Sequence, residues 1–273
     1  MSPLWTVAEA VAATGGRAEK LDDGSLGSIS IDSREIEAGA LFVAIRGDKL
    51  DGHDYVVKAL EAGAAAAMVS EDWFKAHGGE KLLVVPEPLE GLRALGRAAR
   101  ARSTARIVAV TGSVGKTTTK EAIRAVLAAA GPTHYSIKSF NNHWGVPLML
   151  ARLPREAQFG VFEIGMNHAG EITPLVQMVR PHIAVITTVA AAHLEFFKSI
   201  TEIAEAKAEI FLGLEAGGTA VLNDDHDYIH VLFAKAREAH VETIVTYGYD
   251  AEADYRIGDP EIAGSRSFAR VTH

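Results

Sequence analysis

Short apolar runs alternate with helical patterns along the second half of this chain. The runs are rich in β-branched residues and cover residues 107–110, 160–164, 183–189, 219–222 and 243–247. Continuous apolar strands of this length, separated by helices, are typical of a mostly parallel sheet covered on both faces. Because ligands of such sheets bind at the carboxyl ends of the strands, the residues that follow these runs are the first candidates for a functional site.

The first hundred residues show a separate set of elements. Strands are predicted at residues 28–32, 41–45, 64–69 and 82–85, and helices at residues 55–62 and 90–102. Residues 102–106 are a polar stretch between the two patterns and are predicted to be a linker. The fold class is therefore α/β, with a small α/β N-terminal domain over residues 1–102 and a mostly parallel-sheet central domain over residues 107–273. Residues 251–273 show only scattered polar, Gly and Pro positions without a closing helix, so we expect the central domain to be incomplete.

The segment between the first strand of the central domain and its first helix has the pattern of a phosphate-binding loop. Residues 111–120 read T-G-S-V-G-K-T-T-T-K, and a helix is predicted at residues 121–130. The glycines allow backbone amides to turn inward around an anion, and a helix N-terminus adds partial positive charge. We expect Lys116 to reach the terminal phosphates and Thr117 to offer its hydroxyl to Mg²⁺. The predicted nucleotide-binding residues of the loop are Gly112, Ser113, Val114, Gly115, Lys116, Thr117 and Thr118.

The loop is not the strict P-loop pattern, because Val110 stands where that pattern has glycine. The shorter form T-G-x-x-G-K-T-T argues against a GTPase switch and favours another group of ATP-dependent enzymes. An ordinary strand-to-helix turn rich in small residues is the alternative interpretation.

Polar residues follow other predicted strands of the central domain. Glu163 ends the second strand and is well placed to hold Mg²⁺, although a solvated acid is the simpler interpretation of a lone glutamate there. His193 follows the third strand and is as consistent with a structural role as with a ligand role. Asn142, in a turn, and Asn223, after the fourth strand, are candidate nucleotide contacts, but turn chemistry also explains both.

Lys207 lies in the middle of the apolar stripe of a helix predicted over residues 199–214. Its neighbours three and four positions away are all apolar, so no carboxylate stands where it would pair with a surface lysine. An unpaired ammonium among apolar side chains is unfavourable, and burial lowers its pKa. Either Lys207 extends to solvent, or it is a neutral amine that captures CO₂ and becomes an anionic carbamate ligand for a second Mg²⁺.

Composition narrows the class of protein further. The chain has 273 residues, is 48% hydrophobic, carries a formal net charge of −8 and contains no cysteine. The acidic balance argues against nucleic acid as a partner, and the lack of cysteine excludes disulfides and thiolate metal sites. No signal-peptide pattern and no run of about 20 apolar residues is present. We therefore expect a soluble cytoplasmic protein.

These segments together resemble the Mur ligase family over essentially the whole chain. T-G-S-V-G-K-T-T-T-K is similar to the family ATP loop, and F-E-I-G-M-N-H-A-G-E-I to its second motif. H-L-E-F-F with A-K-A-E-I-F resembles the histidine and carbamylated-lysine segment, and V-L-N-D-D the asparagine turn near the nucleotide. N-N-H-W-G-V-P-L favours the family branch that adds a dipeptide. Thr188 and Ile164 are mild departures from the usual residues.

The N-terminal residues carry a second part of the resemblance. D-S-R-E-I-E-A-G-A-L-F-V-A-I-R-G and D-G-H-D-Y are similar to the family domain that holds the UDP-sugar end of the substrate. This match makes Ser33, Arg34, Asp51, Gly52 and His53 candidate substrate contacts, although D-G-H also has the composition of a plain turn.

The resemblance implies an ATP-dependent ligase of peptidoglycan precursor synthesis. It implies UDP-N-acetylmuramoyl-tripeptide and D-alanyl-D-alanine as substrates, an acyl-phosphate intermediate, and a monomer at full length. Lys116, Lys207 and His193 would be catalytic, and Thr117, Glu163, His193 and carbamylated Lys207 would hold two Mg²⁺ ions.

Family members also carry a third, C-terminal domain, so we expect this chain to be a fragment that turns over poorly or not at all. The alternatives are another Mur-type or a folylpolyglutamate-type amide ligase, and a non-catalytic nucleotide-binding module.

Overall fold

The computed structural model describes residues 3–192, 195–263 and 266–273. The α-helices within these residues are α1 (Val7–Thr14), α2 (Val56–Glu61), α3 (Glu71–His77), α4 (Pro88–Arg102), α5 (Lys116–Ala128), α6 (Gly145–Ala151), α7 (Ile172–Val179), α8 (Ile200–Ala208) and α9 (Ile229–Glu238). The β-strands are β1 (Trp5–Thr6), β2 (Arg17–Glu19), β3 (Ser25–Leu26), β4 (Ser28–Ser30), β5 (Ala40–Val43), β6 (Ala66–Ser70), β7 (Leu82–Val85), β8 (Arg106–Thr111), β9 (Thr133–Tyr135), β10 (Phe159–Glu163), β11 (Ile183–Ile186), β12 (Thr219–Asn223), β13 (Thr243–Gly248), β14 (Tyr255–Ile257), β15 (Glu261–Ala263), β16 (Arg266–Phe268) and β17 (Val271–Thr272). Among the described helices, none combines the length and the apolar character that a membrane crossing requires.

The first compact unit comprises Met1–Thr104 together with Trp144–Ala157. Its described residues form a five-stranded sheet in the order β2-β7-β6-β5-β4, in which only β2 runs antiparallel to its neighbour. The residues of β5 and β7 are all buried, as expected for apolar strands covered on both faces. The predicted α/β character of the N-terminal part is confirmed.

Helix α6 belongs to this first unit, in contrast to the continuous division at residues 102–107 that the sequence predicts. All seven residues of α6 are buried, and the helix packs against α4. The indole Nε1 of Trp5 donates a hydrogen bond to the carbonyl oxygen of Ala151 at 2.9 Å, and Arg152 Nε donates to the carbonyl oxygen of Ile29 at 2.6 Å. A helix that is apolar all round must be covered on every side, and the first unit provides this cover.

The second compact unit comprises Ala105–His143 and Gln158–His273. Its described residues form an eight-stranded sheet in the order β17-β14-β13-β12-β11-β8-β10-β9, parallel except for β17. One face buries Val108, Val110, Val161 and Val185 beneath α5 side chains that include Ile123. The mostly parallel sheet predicted from the apolar runs is confirmed.

The strand order of this sheet reverses around β8. After β8 the chain forms β9 and β10 on one side, and then crosses to form β11 on the other side. Glu163 of β10 pairs with Val110 of β8, and Ile186 of β11 pairs with Thr111. The ends of all three strands therefore meet at one edge, at the kind of switch point where α/β sheets bind ligands.

The end of the chain contains more regular structure than its scattered pattern indicates. β14 pairs in parallel with β13, and β17 pairs antiparallel with β14. The helix predicted over residues 199–214 is α8 followed by a 3₁₀ turn at Glu209–Gly213.

Candidate active site

The loop between β8 and α5 depends on two glycines. Gly115, which directly precedes α5 as its N-cap, has φ 86°, and Gly112 has φ 151°. Both values lie where glycine is strongly favoured. A Cβ atom on Gly112 would also lie 1.9 Å from Thr187 Oγ1, so this position has no room for a side chain. The first turn of α5 has no side-chain cap among the described residues, which leaves its amide groups able to bind an anion.

Lys116 lies in this first turn, and its side chain folds back over the loop. Its Nζ donates a hydrogen bond to the carbonyl oxygen of Gly112 at 2.7 Å. Burial lowers the pKa of Lys116, while the nearby Glu163 carboxylate acts in the opposite direction. The amine is thus already at the phosphate loop, in reach of an anion bound there.

Glu163 is buried at the end of β10 and is not the solvated acid that a lone glutamate at a strand end suggests. Its Oε2 accepts a hydrogen bond from the Thr117 hydroxyl at 2.9 Å, and its Oε1 accepts one from Asn141 Nδ2 at 2.8 Å. The hydroxyl and the carboxylate are hard oxygen donors that lie side by side. Each of these oxygens fits a Mg²⁺ ion, which typically takes one or two protein oxygens together with phosphate oxygens.

A second buried lysine, Lys120, lies behind Glu163 and was not predicted from the sequence as a site residue. Its Nζ donates to the carbonyl oxygen of Ser136 at 2.7 Å and lies 4.0 Å from Glu163 Oε2. The Ser136 hydroxyl in turn accepts a hydrogen bond from the amide of Glu163 at 3.2 Å. These contacts fix the Glu163 backbone and place a positive charge beside its carboxylate.

Lys207 is 2% exposed, so it does not extend into solvent. No hydrogen bond or ion pair joins its Nζ to a described residue. Burial, followed by repulsion from Lys116, lowers the pKa of Lys207 to about 8. The two lysines therefore interact electrostatically. Because of its lowered pKa, Lys207 has a much larger neutral fraction near pH 7 than an exposed lysine.

The predicted metal ligands are only partly brought together by the described residues. Thr117 and Glu163 are in contact through a hydrogen bond. Lys207 is electrostatically repelled by Lys116, which is next to Thr117 in the first turn of α5. His193 lies outside the residues that the structure describes. Within the described ranges no group of three or more His, Cys, Asp or Glu side chains could hold a metal ion. Bound Mg²⁺ would therefore depend on hydroxyl, phosphate or carbamate oxygens in addition to Glu163.

The remaining predicted nucleotide contacts occupy different environments. The hydroxyl of Ser113 is already hydrogen-bonded within the protein. It donates to the carbonyl oxygen of Ala190 and accepts from the amide of Ala190, both at 3.0 Å. Val114 and Thr118 are exposed. Asn223 ends β12 at the same sheet edge, and its Oδ1 accepts a hydrogen bond from the amide of Asp225 at 2.7 Å. Asn142 is exposed, whereas its neighbour Asn141 contacts Glu163.

The predicted substrate residues of the first unit form a tightly bonded turn. His53 is buried, its Nδ1 lies 2.6 Å from Asp51 Oδ1, and its Nε2 accepts a hydrogen bond from the amide of Ser70 at 3.0 Å. A Cβ atom on Gly52 would lie 2.7 Å from backbone atoms of Ile45. These contacts give the D-G-H segment a clear structural role.

The other two predicted substrate residues of this unit differ in exposure. Ser33 is buried, and Arg34 is an exposed residue that donates two hydrogen bonds to the carboxylate of Asp32.

Comparison with protein-family profiles gives two matches. The profile described as Mur ligase middle domain matches residues 110–271, and the profile described as Mur ligase family, catalytic domain matches residues 26–129.

Individual relatives agree with these matches. The UDP-N-acetylmuramoyl-tripeptide–D-alanyl-D-alanine ligase of Rickettsia prowazekii (strain Madrid E) is 35% identical over 229 residues, which are 84% of this chain and 51% of that protein. A crystal structure of MurF from Acinetobacter baumannii superimposes with a TM-score of 0.86 at 30% identity, over 98% of this chain and 57% of that chain. MurF ligase from Thermotoga maritima in complex with ADP gives a TM-score of 0.75 at 27% identity, over 89% of this chain and 55% of that chain. This chain spans about half the length of the curated relative it matches.

Proposed function

The chain belongs to the Mur ligase family, and on that premise we propose that it serves the ATP-dependent joining of D-alanyl-D-alanine to UDP-N-acetylmuramoyl-tripeptide in the cytoplasm. The observation that carries the proposal is the hydrogen bond between Thr117 of the phosphate loop and the buried Glu163 carboxylate. The names of the relatives and the ADP complex of the Thermotoga maritima protein support the choice of substrates and nucleotide.

The proposed reaction has two bond-forming steps. A carboxylate oxygen of the tripeptide attacks the γ-phosphorus of ATP, the bond to ADP breaks, and an acyl phosphate forms. The amine nitrogen of D-alanyl-D-alanine then attacks the acyl carbon, phosphate leaves, and the nitrogen loses a proton to give the amide. Both reactants of the first step are anions, so charge neutralisation and positioning matter more than proton transfer.

The phosphate loop provides the first part of that neutralisation. Lys116 Nζ exchanges its bond to the Gly112 carbonyl for the β- and γ-phosphate oxygens, and the free amides of the first turn of α5 hold the same phosphates. Asn223, at the same edge of the sheet, is positioned for the nucleoside end. In the first unit, Ser33, exposed Arg34 and the turn at residues 51–53 hold the UDP end of the substrate.

Two Mg²⁺ ions would complete the site, one held by Thr117 and the other by Glu163, His193 and carbamylated Lys207. Bound Mg²⁺ neutralises charge on phosphate and carboxylate oxygens. The hydrogen bond from Asn141 orients the Glu163 carboxylate for this role, and the Lys120 ammonium group lies 4.0 Å from it.

Lys207 joins the site as a carbamate. Its neutral amine attacks the carbon of CO₂, and the proton that the nitrogen loses goes to solvent, which leaves an N-carboxylate. The repulsion between Lys207 and Lys116 becomes an attraction, and an unpaired buried cation becomes an anion with a partner.

A product assay tests the function. The chain is incubated overnight with ATP, Mg²⁺ and UDP-N-acetylmuramoyl-tripeptide, with and without D-alanyl-D-alanine. The products are then identified and quantified by mass spectrometry. We expect a small amount of the dipeptide adduct, with an equal amount of ADP, only when both peptide substrates are present, and no adduct with Glu163→Gln. ADP formation that ignores both substrates, or adduct formation with a folate and glutamate instead, would contradict the proposal.

A further inference from the structure

Thr187, which follows β11, holds the phosphate loop with its side chain. It is buried, and its hydroxyl donates a hydrogen bond to the carbonyl oxygen of Val114 at 2.6 Å. The carbonyl oxygen of Thr111 lies farther from the same hydroxyl, at 3.3 Å. Because a hydroxyl has a single proton, the shorter contact identifies Val114 as the main acceptor.

This hydrogen bond determines which way the next amide points. The peptide bond between Val114 and Gly115 is trans and planar, so its C=O and N–H point in opposite directions. With the carbonyl turned toward Thr187, the N–H of Gly115 points away from Thr187. Within the described part of the chain no acceptor is found for that N–H. An amide donor at the entrance to α5 is thereby left for a ligand.

Two further contacts fix Thr187 itself and its fit against the loop. The hydroxyl of Tyr247, on β13, donates to the carbonyl oxygen of Thr187 at 3.1 Å. The absence of a side chain at Gly112 makes room for the Thr187 hydroxyl, since a Cβ there would lie 1.9 Å from it. Thr187 therefore touches the loop at both ends, at Gly112 and at Val114.

We propose that Thr187 is a positioning residue for nucleotide binding, which acts by orienting the peptide between Val114 and Gly115 so that the Gly115 amide donates to a phosphate. The inference rests on the proposed function in one respect, because it takes the ligand of the loop to be a nucleoside di- or triphosphate. Thr187 itself does not contact the nucleotide.

Calorimetric titration with ADP and Mg²⁺ tests this role in four proteins. Thr187→Val keeps the shape of the side chain and removes the hydrogen bond, so we expect ADP affinity to fall about tenfold. Thr187→Ser keeps the hydroxyl and should stay within about threefold of wild type. The control is Thr219→Val, the same substitution at the first residue of β12, at the edge of the sheet away from the phosphate loop, where the hydroxyl makes no hydrogen bond with a described residue. The ligand-free melting temperatures should agree within about 2–4 °C, the shift expected for 1 kcal/mol in a domain of this size.

The outcomes separate the two proposals. Unchanged ADP affinity in Thr187→Val, or an equal loss in Thr187→Val and Thr187→Ser, would overturn the role of Thr187 while leaving the proposed function intact. Absence of ADP binding by the wild-type chain would overturn both. If Thr187→Val does not fold, the same criterion is applied to Thr187→Ala against Thr187→Ser.

Discussion

Replacing Lys207 with methionine removes a buried charge and keeps a side chain of similar length. The Lys207 amine is buried without a described partner, and its pKa falls from 10.5 to about 8. Since a tenfold change in an ionisation constant corresponds to about 1.4 kcal/mol, the charged amine destabilises the folded chain by about 3 kcal/mol at pH 7. Methionine carries no such penalty. We therefore expect Lys207→Met to raise the free energy of unfolding by about 3 kcal/mol in CO₂-free buffer.

The sign of the pH dependence follows from the direction of the shift. Below the folded pKa of about 8, Lys207 is protonated in the folded and the unfolded chain, and the full penalty is present. Between this value and 10.5 the folded chain releases its proton before the unfolded chain does, so wild-type stability rises with pH. The advantage of Lys207→Met should therefore shrink above pH 8 and vanish near pH 10.5.

Urea denaturation, followed by circular dichroism at several pH values, measures both effects. Lys58→Met is the matched control, because Lys58 is exposed on α2 and its replacement should change stability by no more than about 0.5 kcal/mol. A Lys207→Met protein that is less stable than wild type at pH 7, or whose advantage does not depend on pH, would refute the interpretation of Lys207 as an unpaired buried cation.

Three further predictions concern the loop, the carboxylate and the first unit. Lys116→Ala should lower ADP affinity at least tenfold in calorimetric titrations, because it removes the charge that faces the phosphates. Glu163→Gln should leave the ADP affinity measured without Mg²⁺ nearly unchanged and reduce the gain in affinity that added Mg²⁺ produces, since an amide is a poorer Mg²⁺ ligand than a carboxylate. Trp5→Phe should destabilise the first unit by about 1–2 kcal/mol in denaturant titrations, because the indole bond to Ala151 is lost and a buried carbonyl is left unpaired.

The parts of the fold that the sequence predicts are those determined by residues that are close together along the chain. The apolar runs identify the strands of the parallel sheet, and the order of glycine, lysine and threonine between a strand and a helix identifies the phosphate loop. For the strands and the loop the physical cause lies within about ten residues of its effect. The helical neighbours of Lys207 show only that no carboxylate lies one turn away, which leaves extension to solvent or burial open, and the structure decides for burial.

The features that the sequence does not predict depend on contacts between distant segments. Lys120 lies in a polar run that resembles a surface helix, and only its contact with Ser136, 16 residues away, shows that it is buried. Of the two adjacent asparagines, no pattern in the turn indicates that Asn141 rather than Asn142 faces Glu163. The inclusion of α6 in the first unit likewise depends on its packing against α4. His193 remains a prediction from the sequence.

Isotope transfer tests the central claim most directly, namely that the chain uses ATP to activate a carboxylate. The tripeptide is labelled with ¹⁸O in its free carboxylate and incubated with ATP, Mg²⁺ and D-alanyl-D-alanine. If an acyl phosphate forms, the bridging oxygen comes from the carboxylate and leaves with the phosphate. We predict one ¹⁸O atom in each released phosphate, detected by mass spectrometry, and this label accumulates even when turnover is slow. Released phosphate without ¹⁸O would contradict the account.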